Sequence, residues 1–93
     1  MTKFNVSISE TAARELDSLD SNLIERIRSS IKELDIDPFR SRPKADIKKL
    51  KGPKNPFLYR LRIGNYRIIY TVEGKEVKIT HILKRSAVYK LLD

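Results

Sequence analysis

An α+β fold is predicted for this chain: one short N-terminal strand, a two-helix hairpin, then a three-stranded antiparallel meander and a short C-terminal helix. Two observations predict it. Apolar residues recur every second position in K-F-N-V-S-I and again after Leu58, the period of a half-buried strand, whereas Leu23, Ile27, Ile31 and Leu34 recur at helical spacing. The pairs Gly64-Asn65 and Glu73-Gly74 then divide the second half into strands joined by tight turns.

The elements follow in order. Lys3 to Ile8 is a strand with Phe4, Val6 and Ile8 on one side. Ser9 caps a first helix whose apolar side carries Leu16 and Leu19, and the chain breaks near Ser18 to Ser21. Asn22 and Glu25 have the spacing of a capping box for a second helix, which exposes Glu25, Arg26, Arg28, Lys32 and Glu33 and ends before Pro38. Asp35 to Ala45, with Pro38 and Pro43, is expected to be a surface loop, and Asp35 and Asp37 have no nearby histidine with which to form a metal site.

The most informative stretch is L-Y-R-L-R-I-G-N-Y-R-I-I-Y-T-V, residues 58 to 72. A two-residue turn at Gly64-Asn65 sets Ile63 opposite Tyr66, Arg62 opposite Arg67, Leu61 opposite Ile68, Arg60 opposite Ile69 and Tyr59 opposite Tyr70. Alternation then gives Tyr59, Leu61, Ile63, Tyr66, Ile68 and Tyr70 to the buried side, and Arg60, Arg62 and Arg67 to the other. Like charges side by side on a sheet destabilise it, so the cluster calls for an anion. A second turn at Glu73-Gly74 leads into a last strand, Glu76 to Leu83, and a two-residue turn there aligns Lys78, Thr80, Ile82 and Lys84 with Arg67, leaving Val77, Ile79, His81 and Leu83 as core or core edge. Ser86 to Leu92 forms the final helix and carries Tyr89 over the strand ends, with Arg85 at the rim of the basic face.

Charge agrees with this reading. The 93-residue chain has a net charge of +8, yet residues 1–46 hold 8 Lys/Arg against 9 Asp/Glu, while residues 47–93 hold 12 against 3. The excess sits with the arginine hairpin, the footprint of a protein that meets nucleic acid or another polyanion. No cysteine is present, which excludes a disulfide framework, a thiolate zinc site and a catalytic thiol. A length of 93 residues fits a single domain spanning 1–93. The polar–apolar start is unlike a signal peptide and no segment has the length and apolarity of a membrane span, so a cytoplasmic protein is expected.

The order of elements, the L-K-G approach at Leu50 to Gly52, the Y-R-L-R-I-G-N-Y-R-I-I-Y hairpin and the terminal K-R-S-A-V-Y together resemble the RelE/ParE toxin superfamily, and most of all its archaeal-type RelE proteins. The resemblance covers essentially the whole chain, and the hairpin and tail are its specific parts. It implies the toxin of a type II toxin–antitoxin pair: a ribosome-dependent mRNA endonuclease that works in the ribosomal A site without metal or other cofactor. Its partners would be the ribosome, mRNA and a cognate acidic antitoxin, in a hetero-oligomeric complex.

By the same resemblance the catalytic residues are Arg60, Arg62, Arg67, Arg85 and Tyr89, with Lys84 where the family often has histidine. Lys48, Lys49, Lys51, Lys54 and Lys78 are the expected RNA-binding set, and the general base is left open, with Lys84 and Lys54 as candidates. Two other readings share the fold: a ParE-like inhibitor of DNA gyrase, and an RNA- or ribosome-binding relative without catalysis.

Overall fold

A computed structural model describes residues 4–50 and 57–92, with side chains described for 4–50 and 57–88. The elements run β1 (Asn5–Ile8), α1 (Glu10–Asp17), α2 (Ser21–Ile36), β2 (Asp46–Lys49), β3 (Leu58–Ile63), β4 (Tyr66–Glu73), β5 (Glu76–Lys84) and α3 (Arg85–Leu92). They build one five-stranded sheet in the order β1-β5-β4-β3-β2. β1 lies parallel to β5, and all other neighbours are antiparallel.

Ser9 caps α1 as expected, its Oγ accepting from the Ala12 N–H. The cap of α2 falls two residues earlier than the Asn22 box suggests: the Asp20 carboxylate accepts from Leu23 N–H at 3.0 Å. Ala12 and Leu16 of α1 and Ile27 and Leu34 of α2 are buried against Leu61, Ile63, Ile68, Tyr70, Val77, Ile79 and Ile82, so both helices cover one sheet face. Where β1 ends, α1 guards the open edge of β5, and a Glu15 carboxylate oxygen accepts the Ile82 N–H at 2.8 Å. His81 lies at the same edge with its Nδ1 3.7 Å from Glu15, but its pairing with Ile69 puts it on the face opposite Ile79, which corrects its placement with the core residues of β5.

The β3–β4 register is the one the turn dictates, from Ile63 opposite Tyr66 to Tyr59 opposite Tyr70. Gly64 has φ +57° and Asn65 has no positive φ, so the turn takes the form that needs glycine at its first central position. The second turn is built the same way with its centre one residue later than expected, at Gly74 (φ +59°) and Lys75, between paired Glu73 and Glu76.

Two larger features also depart from the sequence-based expectation. Part of the stretch between α2 and the hairpin is a strand, β2, which extends the meander at its β3 side. Ala45 and Ile47 are buried and Asp46 and Lys48 face the other way, a period-two pattern too short to stand out between two prolines and a lysine run. The second departure is a β-bulge in β5: Tyr70 pairs with Ile79, but Ile69 pairs with His81, so Thr80 is the extra residue. Beyond it every side chain changes face. Ile82 joins the core, Leu83 stands beside Arg67, and Lys84, opposite Tyr66, turns to the helix-covered side. The expected alignment of Ile82 and Lys84 with Arg67 is thereby corrected.

Loop 37–45 is fastened by side chains. Asp37 accepts N–H bonds from Phe39 and Arg40 at 2.9 and 3.2 Å, and the Phe39 bond leads in holding its carboxyl below the usual carboxylate range. Arg42 donates to the carbonyls of Glu33, Asp37 and Arg40, which ties the end of α2 to the loop.

Candidate functional site

The face opposite α1 and α2 carries the arginines. Arg60 and Arg62 point to it from β3 and Arg67 from β4, because Arg62 and Arg67 are directly paired and Arg60 is two positions away. β2 adds Lys48, the pairing partner of Arg60, and Asp46, the partner of Arg62. α3 packs against β4 and β5 on this face, where Ile69 and Val88 are both buried although neither belongs to the core cluster beneath the other helices. Part of the arginine face is thus an apolar seat for α3.

A cleft of about 310 Å3 opens between α3 and β2, lined by Lys48, Leu50, Arg60, Arg62, Arg67, Arg85 and Val88. Its position follows from the strand order. β2 raises one wall, α3 raises the other, and the hairpin forms the floor. Arg85 is fixed where β5 passes into α3, its backbone N–H donating to the Asn65 carbonyl at 3.0 Å, so the hairpin turn also positions the second wall. Arg67 folds its guanidinium toward the same turn, donating to the Gly64 and Tyr66 carbonyls at 3.1 Å.

The anion that three neighbouring guanidiniums require is partly supplied from within. Arg60 Nη1 lies 3.1 Å from one carboxylate oxygen of Asp46 and donates to the Asp46 carbonyl at 3.2 Å, while Arg62 Nη1 is 3.7 Å from the other carboxylate oxygen. Among the described residues lining the cleft there is no acid, so Asp46 offsets one of its five cations from outside. Such a surface suits a ligand of several negative charges, and guanidiniums hold phosphate oxygens with two parallel hydrogen bonds.

The remaining expected site residues are spread more widely. Lys49 pairs with Tyr59 on the opposite face and sets its ammonium 3.5 Å over the Phe57 ring, away from the cleft that Lys48 enters. Lys78 is on the arginine side but pairs with Thr71, about 13 Å along the strands from Arg67. Lys84 is exposed on the helix-covered side. Lys51 and Lys54 lie outside the described residues, and Tyr89 is described only as backbone within α3. Asp46, Leu50 and Val88 are the members of the site that sequence reasoning missed. Asp46 carries a usable signal in A-D-I-K, where it shares the face of Lys48 once β2 is recognised.

Among the described residues no group of three His, Cys, Asp or Glu is gathered as for a metal ion, and no helix is long and apolar enough to cross a membrane.

Comparison with known proteins defines the class to which this fold and cleft belong. Residues 6–89 match the family described as the ParE toxin of type II toxin–antitoxin systems. Toxin RelE3 of Methanocaldococcus jannaschii is 33% identical over 84 residues, covering 90% of this chain and 93% of its own. A chain of the archaeal RelE–RelB complex of Pyrococcus horikoshii superimposes with a TM-score of 0.76 at 33% identity, covering 89% of this chain and 96% of that one. A chain of the RelB–RelE antitoxin–toxin complex of Methanococcus jannaschii gives 0.72 at 30% identity, covering 92% and 98%. The chain therefore belongs to the RelE/ParE superfamily of type II toxin–antitoxin toxins and is of the archaeal RelE type.

Proposed function

We propose that this toxin is a ribosome-dependent endoribonuclease that cuts mRNA in the ribosomal A site without a metal ion. The observation that carries the reading is the convergence of Arg60, Arg62, Arg67, Arg85 and Lys48 on one open cleft that, among the described residues, no acid lines. In-line attack by a ribose 2′-oxygen on the adjacent phosphorus breaks the bond to the 5′-oxygen. The 2′-hydroxyl proton passes to a base, the departing 5′-oxygen takes up a proton, and the charge on the phosphorane oxygens needs fixed donors. Guanidiniums held by strand pairing and by backbone carbonyls supply those donors with little reorganisation. They remain charged and make poor bases. Lys48, the amine among the described residues of the cleft lining, is favoured as the proton acceptor over Lys84, whose pairing with Tyr66 puts it on the other face. Tyr89 is assigned to stacking on a splayed base, and Lys49, Lys51, Lys54 and Lys78 to outer contacts with the RNA backbone.

By the same reading the toxin acts in the cytoplasm, where the ribosomes are, and is restrained in a hetero-oligomeric complex by an acidic antitoxin. Both archaeal neighbours named above are RelE–RelB complexes, and the half of this chain that carries 12 Lys/Arg against 3 Asp/Glu is complementary to an acidic partner.

The test is cleavage of mRNA on programmed ribosomes in EDTA. Cuts confined to the A site, leaving a 2′,3′-cyclic or 3′-phosphate and a 5′-hydroxyl, are expected. Abolition by chelation, or products with a 5′-phosphate, would overturn the mechanism. The ParE name of the matched family keeps gyrase inhibition as a second reading, and it predicts a change in plasmid supercoiling with mRNA left intact.

A further inference from the structure

The Asp46 carboxylate spans two neighbouring guanidiniums with one oxygen each, at 3.1 Å from Arg60 and 3.7 Å from Arg62. This is the arrangement two oxygens of a phosphate would adopt on the same fork. We infer that Asp46 is a positioning residue acting as an internal phosphate surrogate, which holds Arg60 permanently and releases Arg62 to an incoming RNA phosphate.

The two arginines are held unequally. Arg60 has a 19% exposed side chain and two attachments to Asp46, the carboxylate at 3.1 Å and the main-chain carbonyl at 3.2 Å. Replacing both means leaving a largely covered guanidinium without its two acceptors, so this contact persists when a ligand arrives. Arg62 is 55% exposed and its contact with Asp46 is longer, 3.7 Å, a weak ion pair of the solvent-screened kind. It exchanges readily for a phosphate, whose greater charge and two-point geometry suit a guanidinium better. Asp46 itself is 49% exposed and begins β2, directly opposite Arg62, so register and not chance places it there.

Two consequences follow. Asp46 and an incoming phosphate compete for Arg62, so the wild-type cleft binds polyanions more weakly than its cations alone would allow. At the same time Arg60 reaches the cleft in one orientation, which is what stabilising a single reacting phosphate requires. Asp46 therefore trades affinity for geometry. The cleavage consequence rests on the proposed nuclease reading, whereas the binding and ordering consequences stand without it.

The test compares wild type with Asp46→Asn and Asp46→Glu. Binding of a fluorescein-labelled single-stranded 12-mer RNA is titrated over a range of salt concentrations, and arginine side-chain nitrogen signals are followed by NMR. Asp46→Asn should bind the RNA about three- to ten-fold more tightly at low salt, with the log–log salt slope steeper by about 0.7, the value of one further phosphate contact on a single strand. Its Arg60 guanidinium signals should broaden through faster rotation, while Asp46→Glu, which keeps the charge, should return affinity and slope toward wild type. In wild type the RNA should shift Arg62 signals before those of Arg60. On ribosomes, Asp46→Asn should cut about ten-fold more slowly in single turnover despite tighter binding, a split that simple loss of stability does not produce. Unchanged affinity and slope in Asp46→Asn, or Arg60 signals as ordered as in wild type, would overturn the inference. Faster or equal cutting by the variant would overturn the positioning role. A wild type that does not cut at all defeats the nuclease reading instead, and the RNA and NMR measurements then decide the role of Asp46.

Discussion

Tyr70 joins the core to loop 37–45 in a way that alkaline titration can isolate. Its side chain has no exposure, its hydroxyl donates to the Pro38 carbonyl at 2.7 Å, and its ring stacks on Tyr59 with centroids 5.6 Å apart. Burial, with the neighbouring Tyr59 phenol adding to it, pushes the Tyr70 phenol well above its ordinary 10.0. The unfolded phenol ionises near pH 10 while the folded one stays protonated, so above that pH the native state binds the additional proton and stability falls as pH rises. The contribution is complete below pH 10 and is lost progressively toward the folded pKa. By pH 11 the loss is about 1.4 kcal/mol, one pH unit of differential ionisation. Tyr70→Phe removes this titration together with the hydrogen bond, and leaves the buried Pro38 carbonyl without that donor at a cost of about 1–2 kcal/mol at neutral pH. The stability gap between wild type and variant should therefore be about 1–2 kcal/mol at pH 7.5 and nearly vanish by pH 11. Urea denaturation of both proteins at pH 7.5, 9, 10 and 11 measures it, because every other titrating group is common to the pair. A gap that stays constant from pH 9 to 11 would refute the assignment of a buried, neutral phenol.

Two further outcomes are expected. Arg67→Ala should lower single-turnover cleavage on programmed ribosomes by about 10² or more, the effect of losing one donor to a developing oxyanion, while ribosome affinity falls little; an unfolded variant or a parental rate would show that the active face is misplaced. Arg42→Ala should destabilise the fold by about 2 kcal/mol in chemical denaturation, because a 12% exposed guanidinium that ties three carbonyls and the Glu33 carboxylate together is lost, the Glu33 carbonyl keeping only the Asp37 N–H. Arg42→Lys should recover only part of that loss, since one ammonium cannot reproduce the fork.

The legible parts of this protein are those that local chemistry decides. A glycine with positive φ at the head of a two-residue turn fixes the whole β3–β4 register, and with it the shared face of Arg60, Arg62 and Arg67. The stripe of α2 is equally local, with Ile27 and Leu34 buried and Leu23 and Ile31 packed beside them. The bulge is different in kind. Val77, Ile79 and Ile82 are all buried, a spacing of two and then three that no regular strand allows. Leu83, equally apolar, offered a strand without interruption, and only pairing with β4 and the Glu15 bond to Ile82 N–H decide between the two. Strict alternation carried past Thr80 therefore puts Lys84 on the wrong face.

β2 has the greater functional consequence. Read as part of a basic approach to the hairpin, Lys48 and Lys49 are equivalent charges. Paired with β3 they separate, Lys48 opposite Arg60 in the cleft and Lys49 opposite Tyr59, over the Phe57 ring. The same strand delivers Asp46 to the arginine pair, so an acid from the half of the chain with slight negative charge becomes part of the basic site. Net charge by segment locates the cation excess correctly but cannot show this counter-ion, because it arrives through strand pairing between residues 14 and 16 positions apart. The balance between affinity and orientation in the cleft is thus set by the edge strand. Variation along β2 alters that balance while leaving the arginine hairpin, and the helices that carry its core face, untouched.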